Sequence, residues 1–292
     1  MREKGIFAWY GYYNDFLRRI EKIKETGFDG VMLWWEDEIG DAPISRFEMF
    51  RRCEEAALKV FNIHMAGEED DALWSTDKET RMRHLKPICQ TIEEISDLGC
   101  FNLVLHLCGK GELPEPSIHL LHSIETLLPY AEANRVILSA ENTWRADYLT
   151  YVWEAFPGVK ELGFCFDTSH ANLGAEKQFS LLEQHKEKLS ALHISDNDGM
   201  KNSHSLPFDG TIPFEKKVLP YLTETKVPFT LEVIADKKRY PEEDTFLKAA
   251  YESICELIRK TEEIKEEQEE TRKTKEKEAN HKGFLPLFFD EP

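Results

Sequence analysis

The chain has 292 residues, a formal charge of −18, 41% hydrophobic residues and 18 Phe, enough for one large core or two modest ones. The acidity disfavours nucleic acid, whose phosphates are met by Lys and Arg, so a small-molecule ligand is the expected partner. No apolar run approaches the roughly 18 residues of a bilayer span. Met1-Arg2-Glu3-Lys4 lacks a secretory apolar stretch, and the six Cys form no CxxC pair, so a cytoplasmic protein with reduced thiols is expected.

Strand-like apolar runs recur, each followed by a helix-like segment. Gly5-Ile6-Phe7-Ala8-Trp9 is the first run. Asn14-Asp15 caps a helix carrying Phe16, Leu17, Ile20 and Ile23, ended by Gly27. Val31 to Trp35 is the second run, and Ser45-Arg46-Phe47-Glu48 reads as a capping box. Asn62 to Ala66 is the third, with a second box at Thr76 to Glu79 before a helix that stops at Gly99. Asn102 to His106 precedes a helix through Ile124, Leu127 and Leu128, and Val136 to Glu141 precedes one from Tyr148 to Phe156. Leu162 to Asp167 is the sixth run, with Ser180 as the cap of its helix. Ala191 to Asp196 and Phe229 to Val233 are the seventh and eighth, and Pro241-Glu242-Glu243 opens a last helix.

Eight strand–helix units in about 258 residues predict a (β/α)8 TIM barrel. A doubly wound sheet is the competing architecture, but no Gly-rich phosphate fingerprint follows the first strand. Residues 1–258 are therefore expected to form the barrel. Residues 259–292 form a charged extension, helical or disordered, ending in the apolar peptide Phe284 to Phe289. That peptide either folds back on the barrel or docks in a partner's groove.

Barrel active sites lie at strand C-termini, and there the polar exceptions gather. His64 ends the third strand and His106 the fourth, Glu141 the fifth and Asp167 the sixth, with His170 just after. His193 lies in the seventh strand and Glu232 in the eighth. Converging carboxylates repel unless a cation holds them. Glu141, Asp167, His193 and Glu232 make a hard, oxygen-rich set suited to one divalent ion, Mn, Mg, Co or Zn. Taken singly, each could instead be a hydrogen-bonded polar residue beneath a loop, and Cys100, Cys108 and Cys165 read as small core residues. Trp9, Trp34, Trp35, Glu36, Trp144 and Arg145 lie at or past strand ends, as sugar-stacking platforms or as lids over the mouth. His84, His119, His122 and His185 fall in helix-like stretches and read as surface residues.

Glu141-Asn142, Phe166-Asp167-Thr168-Ser169-His170, Leu192-His193-Ile194-Ser195-Asp196 and Leu231-Glu232-Val233 together resemble the xylose-isomerase-like barrel superfamily. It holds sugar isomerases and epimerases, dehydratases and type IV apurinic endonucleases. Resemblance to the ketose epimerases implies that Glu141, Asp167, His193 and Glu232 ligate one metal ion. It implies that Glu141 and Glu232 also exchange protons with a small sugar, polyol or keto-acid through an enediolate. His170 would then bind a substrate hydroxyl, with His64, His106 and His204 also facing substrate. An Arg that those epimerases carry after the seventh-strand His has no counterpart in Asp196-Asn197-Asp198-Gly199-Met200-Lys201. Resemblance to the endonucleases implies instead three zinc ions on His64, His106, Glu141, Asp167, His170, His193, His204 and Glu232. There the expected ninth ligand, an Asp, is replaced by Asn202. The resemblance leaves the oligomeric state open.

Overall fold

The computed structural model describes residues 2–12, 15–65, 70–109, 113–173 and 177–282, without side-chain detail at 70, 71 and 277–282. Asn14, Ala66 and the Phe284 to Phe289 peptide lie outside the described residues. Eight parallel strands are β1 (Lys4–Phe7), β2 (Gly30–Trp34), β3 (Lys59–His64), β4 (Asn102–His106), β5 (Ile137–Glu141), β6 (Leu162–Asp167), β7 (Leu189–His193) and β8 (Phe229–Leu231). They are hydrogen-bonded in the order β7-β6-β5-β4-β3-β2-β1-β8. Ile194 just beyond β7 joins the two ends: its N–H donates to Thr230 O at 2.8 Å, and Glu232 N–H donates to Ile194 O at 3.0 Å. The sheet therefore closes on itself as a TIM barrel, as the repeating units predict.

The helices are α1 (Phe16–Thr26), α2 (Arg46–Glu55), α3 (Lys78–Asp97), α4 (Ile118–Asn134), α5 (Ala146–Ala155), α6 (Thr168–Ala171), α7 (Phe179–His185), α8 (Phe214–Lys217) and α9 (Glu243–Lys282). Asp15 caps α1 by accepting from Arg18 N–H, and Gly27 ends it in the left-handed region at φ 109°. Ser45 caps α2 as its box predicts. The third helix starts differently: Asp77, not Thr76, is the cap, because its carboxylate accepts from both Glu79 and Thr80 N–H. In α7, Gln178 rather than Ser180 is the cap residue, and Ser180 lies inside the helix.

Inside the barrel, alternation along each strand sets up layers. The floor is tight. A Cβ on Gly30 would meet Lys59 O at 2.4 Å, and the Phe61 ring fills the space left above Gly5 and Gly30. Above it, Asn102, Ser139 and Ser190 bond to one another across β4, β5 and β7. Val104, Cys165 and Ala191 then pack together directly beneath the polar mouth. Outside, α9 lays Phe246, Leu247, Ala250, Ile254 and Leu257 into the core and continues as one 40-residue helix. Thr261 on it is buried, and Gln268 bonds to Thr223 Oγ1 and Pro220 O.

Candidate metal centre

The i, i+2 alternation that buries Ser139 also turns Glu141 inward at the C-terminal end of β5. The same rule delivers Asp167 at the end of β6 and His193 at the end of β7, while Glu232 follows β8 directly. Glu141 and Asp167 are essentially inaccessible, as is His193, and the Glu232 side chain is 13% exposed. One ligand atom from each of the four lies within 4.8 Å of every other. His64 joins Glu141 and His193 in a second, overlapping group of the same tightness.

Glu141 is the hub. Its Oε2 lies 3.3 Å from His64 Nε2, 3.5 Å from His106 Nε2 and 3.2 Å from His193 Nδ1, and its Oε1 lies 3.0 Å from His170 Nδ1. His193 Nδ1 is also 3.2 Å from Glu232 Oε2. Despite this proximity, neither Glu141 oxygen receives an aligned hydrogen bond, and neither do Asp167 Oδ2 and Glu232 Oε2. Buried carboxylate oxygens without donors are costly, and a cation is what their lone pairs can share. The donor set, three carboxylates and one imidazole, fits a hard or borderline divalent ion.

The electrostatics point the same way. Burial pushes the Asp167 carboxyl up to about 7, with Glu232 and Glu141 adding to the rise and His170 opposing it. At Glu141, burial is outweighed by His106 and His193, which hold the carboxyl well below its usual range. Glu232 is likewise low, because His193 and His204 overcome its desolvation. At His170, burial is overcome by Asp167 and Glu141, so the imidazole rises to about 9. The cluster gathers positive charge wherever it can.

The remaining candidates take supporting places. Asp167 caps the short α6 by accepting from His170 N–H at 2.6 Å, which brings His170 back over Glu141. His204 sits in the loop after β7 at φ 45°, with Nδ1 3.0 Å from Glu232 O. Asn202, at the position of the missing ninth ligand, accepts from Ser169 Oγ at 2.8 Å and lies 3.2 Å from His170 Nε2. The tryptophans divide. Trp34 stacks on His64 at 4.8 Å, whereas Trp35 is buried away from the mouth and donates to Glu94. Trp144 lies 6.3 Å from His170, while Arg145 turns to Asp147 and Glu115. Of the four helix histidines, His122 is exposed and the other three are half-buried.

Two buried amides position the ligands, and of these only Asn142 stood in a motif read from the sequence. Asn62 on β3 is buried with Oδ1 3.3 Å from His193 Nε2. Asn142 bridges two strand ends, donating to Asp167 O at 2.9 Å and accepting from Asp167 N–H at 2.7 Å. Asn62 looks like an ordinary strand amide until the barrel closes. Cys165, expected as core, is buried, and burial pushes its thiol up to about 12.

A closed parallel barrel with this constellation at its C-terminal mouth defines a class. The chain belongs to the xylose isomerase-like TIM barrel family, whose model matches residues 20–260. Among its relatives is uncharacterized protein y4fM of Sinorhizobium fredii (strain NBRC 101917 / NGR234). It is 26% identical over 244 residues, covering 70% of this chain and 76% of the relative. Solved structures share the fold. An L-ribulose 3-epimerase superposes with a TM-score of 0.71 at 18% identity, covering 92% of this chain and 97% of the other. D-psicose 3-epimerase of Clostridium cellulolyticum H10, crystallised with D-tagatose, gives 0.70 at 15% identity over 89% and 99%. The 3-keto-D-glucoside 4-epimerase YcjR of E. coli gives 0.64 at 19% identity over 88% and 99%.

Proposed function

We propose that this chain is a divalent-metal-dependent isomerase or epimerase of a small sugar, polyol or keto-acid. The observation that carries the reading is the convergence of Glu141, Asp167, His193 and Glu232 within 4.8 Å at the barrel mouth. Their donor-free carboxylate oxygens support it further. When bound, a divalent ion would polarise a carbonyl and its neighbouring hydroxyl and so offset the charge that develops on them.

The chain's own groups would move the proton. One of Glu141 and Glu232 takes the proton from the carbon beside the carbonyl, and the C–H electron pair becomes the double bond of an enediolate. The other returns a proton to the same carbon for epimerisation; for isomerisation the proton goes to the neighbouring carbon while the hydroxyl proton passes from one enediolate oxygen to the other. His170 would hold a substrate hydroxyl beside Glu141, and His64, His106 and His204 would frame the remaining hydroxyls. Val104, Cys165 and Ala191 pack as an apolar layer directly beneath the site.

The overlapping His64–Glu141–His193 group favours a second reading, a metal-dependent endonuclease acting on abasic DNA. Asn202 in place of a carboxylate and the net charge of −18 weigh against it. Elemental analysis, combined with assays on free ketoses and on an abasic duplex, separates the two. One ion per chain with chelator-sensitive sugar turnover supports the isomerase. Three zinc ions with strand cleavage would support the nuclease, and no metal with no turnover would overturn both.

A further inference from the structure

Next to the metal centre, the ends of β1 and β2 and the loops that follow them enclose a cleft of about 800 Å³. Trp34 belongs to both places. It lines the cleft, and its ring stacks on His64 with an 11° interplanar angle. A substrate with its carbonyl over Glu141 and Glu232 can therefore extend along the face of Trp34 into this cleft.

The charge of the cleft is one-sided. Five lining residues are acids, Asp15, Glu36, Asp37, Glu38 and Asp41, and the lone lining cation among the described residues is Arg19. Arg19 is buried and already engaged, since Nε donates to Ala8 O at 3.0 Å and its terminal nitrogen pairs with Glu38. Asp37 pairs with Arg46 at 3.1 Å, and Asp15 caps α1. Glu36 and Asp41 remain exposed along the cleft. A two-way backbone pairing of Glu38 with Ile44, each bond 3.0 Å, pins the hairpin that presents Asp41.

We infer, resting on the isomerase reading, that this cleft receives the far end of the substrate and that Glu36 and Asp41 select its charge. The substrate class is then a free sugar, hydroxylated or amino-bearing at that end, rather than a sugar phosphate or sugar acid. Carboxylates accept hydrogen bonds from hydroxyl and ammonium groups, and an aromatic face packs on the C–H face of a sugar. A phosphate dianion in the same place would face acids, with no uncommitted lining cation among the described residues. The net charge of −18 lowers the local concentration of anions as well.

The test compares D-fructose with D-fructose 6-phosphate, and D-ribulose with D-ribulose 5-phosphate, by turnover and by calorimetric binding to the full-length protein. Each free sugar is expected to exceed its phosphate at least tenfold in kcat/KM and in affinity. Glu36→Gln combined with Asp41→Asn should shrink that ratio several-fold, chiefly by improving the phosphate, as should raising the salt. Phosphates handled as well as free sugars, or a ratio the double variant does not move, would overturn the inference and leave the isomerase reading standing. Absence of any turnover would sink the isomerase reading, and the binding ratio would then decide this one alone. Binding of neither class overturns both.

Discussion

Asn62 and His193, 131 residues apart in sequence, meet inside the barrel with Asn62 Oδ1 3.3 Å from His193 Nε2. With the amide oxygen accepting from Nε2–H, Nδ1 is left facing Glu141 and Glu232, the side on which an ion would be held. Groups that orient a ligand imidazole in this way commonly set metal affinity. Asn62→Ala is expected to weaken metal binding about 10- to 100-fold while leaving the far-UV circular dichroism unchanged. Titration with Mn²⁺, Co²⁺ and Zn²⁺ checks this, and unchanged affinity would remove Asn62 from the site.

Glu232 is proposed both to hold the ion and to carry a proton. Glu232→Gln keeps the side-chain volume and removes one buried negative charge from a crowded cluster. Turnover should fall by about 10² to 10⁴-fold, with the far-UV circular dichroism unchanged and the melting temperature somewhat lowered, because the fold favours the ionised carboxylate there. A variant that still turns over would end the proton-transfer assignment.

The barrel floor leaves no room at Gly30, where an added Cβ would meet the Lys59 carbonyl at 2.4 Å and the Phe61 ring at 2.8 Å. Backbone cannot yield cheaply, so Gly30→Ala should cost about 3 kcal/mol by urea unfolding. Gly99 is the contrast. Its φ is +83° but nothing lies within 4 Å of a Cβ there, so Gly99→Ala should cost only the backbone term, about 1 to 2 kcal/mol. Equal losses at the two sites would contradict the packing described.

Acid stability should depend in part on Glu94. Its carboxylate is desolvated, but bonds from Arg46, Trp35 and Gln90 outweigh that burial and lower its pKa. A carboxyl lowered in the folded state contributes stability that is fully present above its unfolded value, near about 4.3. That contribution is lost as pH falls through the folded value. Glu94→Gln should therefore destabilise the protein by about 1 to 2 kcal/mol at pH 7. The gap to the unmodified protein should narrow as the pH is lowered below 4.3, the approximate unfolded value. A gap independent of pH would show that shape, not charge, holds this corner.

Where a strand is uniformly apolar and ends in one polar residue, sequence and structure coincide: Asn102–His106 and Leu162–Asp167 are read to the residue. Elsewhere pairing overrides composition. The third strand begins at Lys59, ahead of the visible apolar run, because Gly30 pairs with it. The seventh stops at His193, because only Ile194 continues the ladder, toward β8. Seven of the eight candidate site residues stood out because each interrupts an apolar run or follows one, whereas His204, in a polar loop, was carried by the family resemblance alone. Asn62 did not stand out, since its partner lies across the barrel. Nor could the sequence separate Trp34 from Trp35, which depends on which of two adjacent side chains the sheet turns inward.

Helix α9 runs 40 residues, about 60 Å at 1.5 Å per residue. Among the described residues its last side-chain hydrogen bonds to the barrel are those of Gln268, and the salt bridges beyond, Arg272 with Glu276 and Lys273 with Glu269, stay within the helix. Beyond Gln268 the described helix runs on for about 20 Å, with Thr271 to Glu276 all exposed. A projecting rod slows tumbling and diffusion for a given mass, so a single copy is expected to elute early from a sizing column. Light scattering, which weighs the particle instead of timing it, gives the number of chains directly.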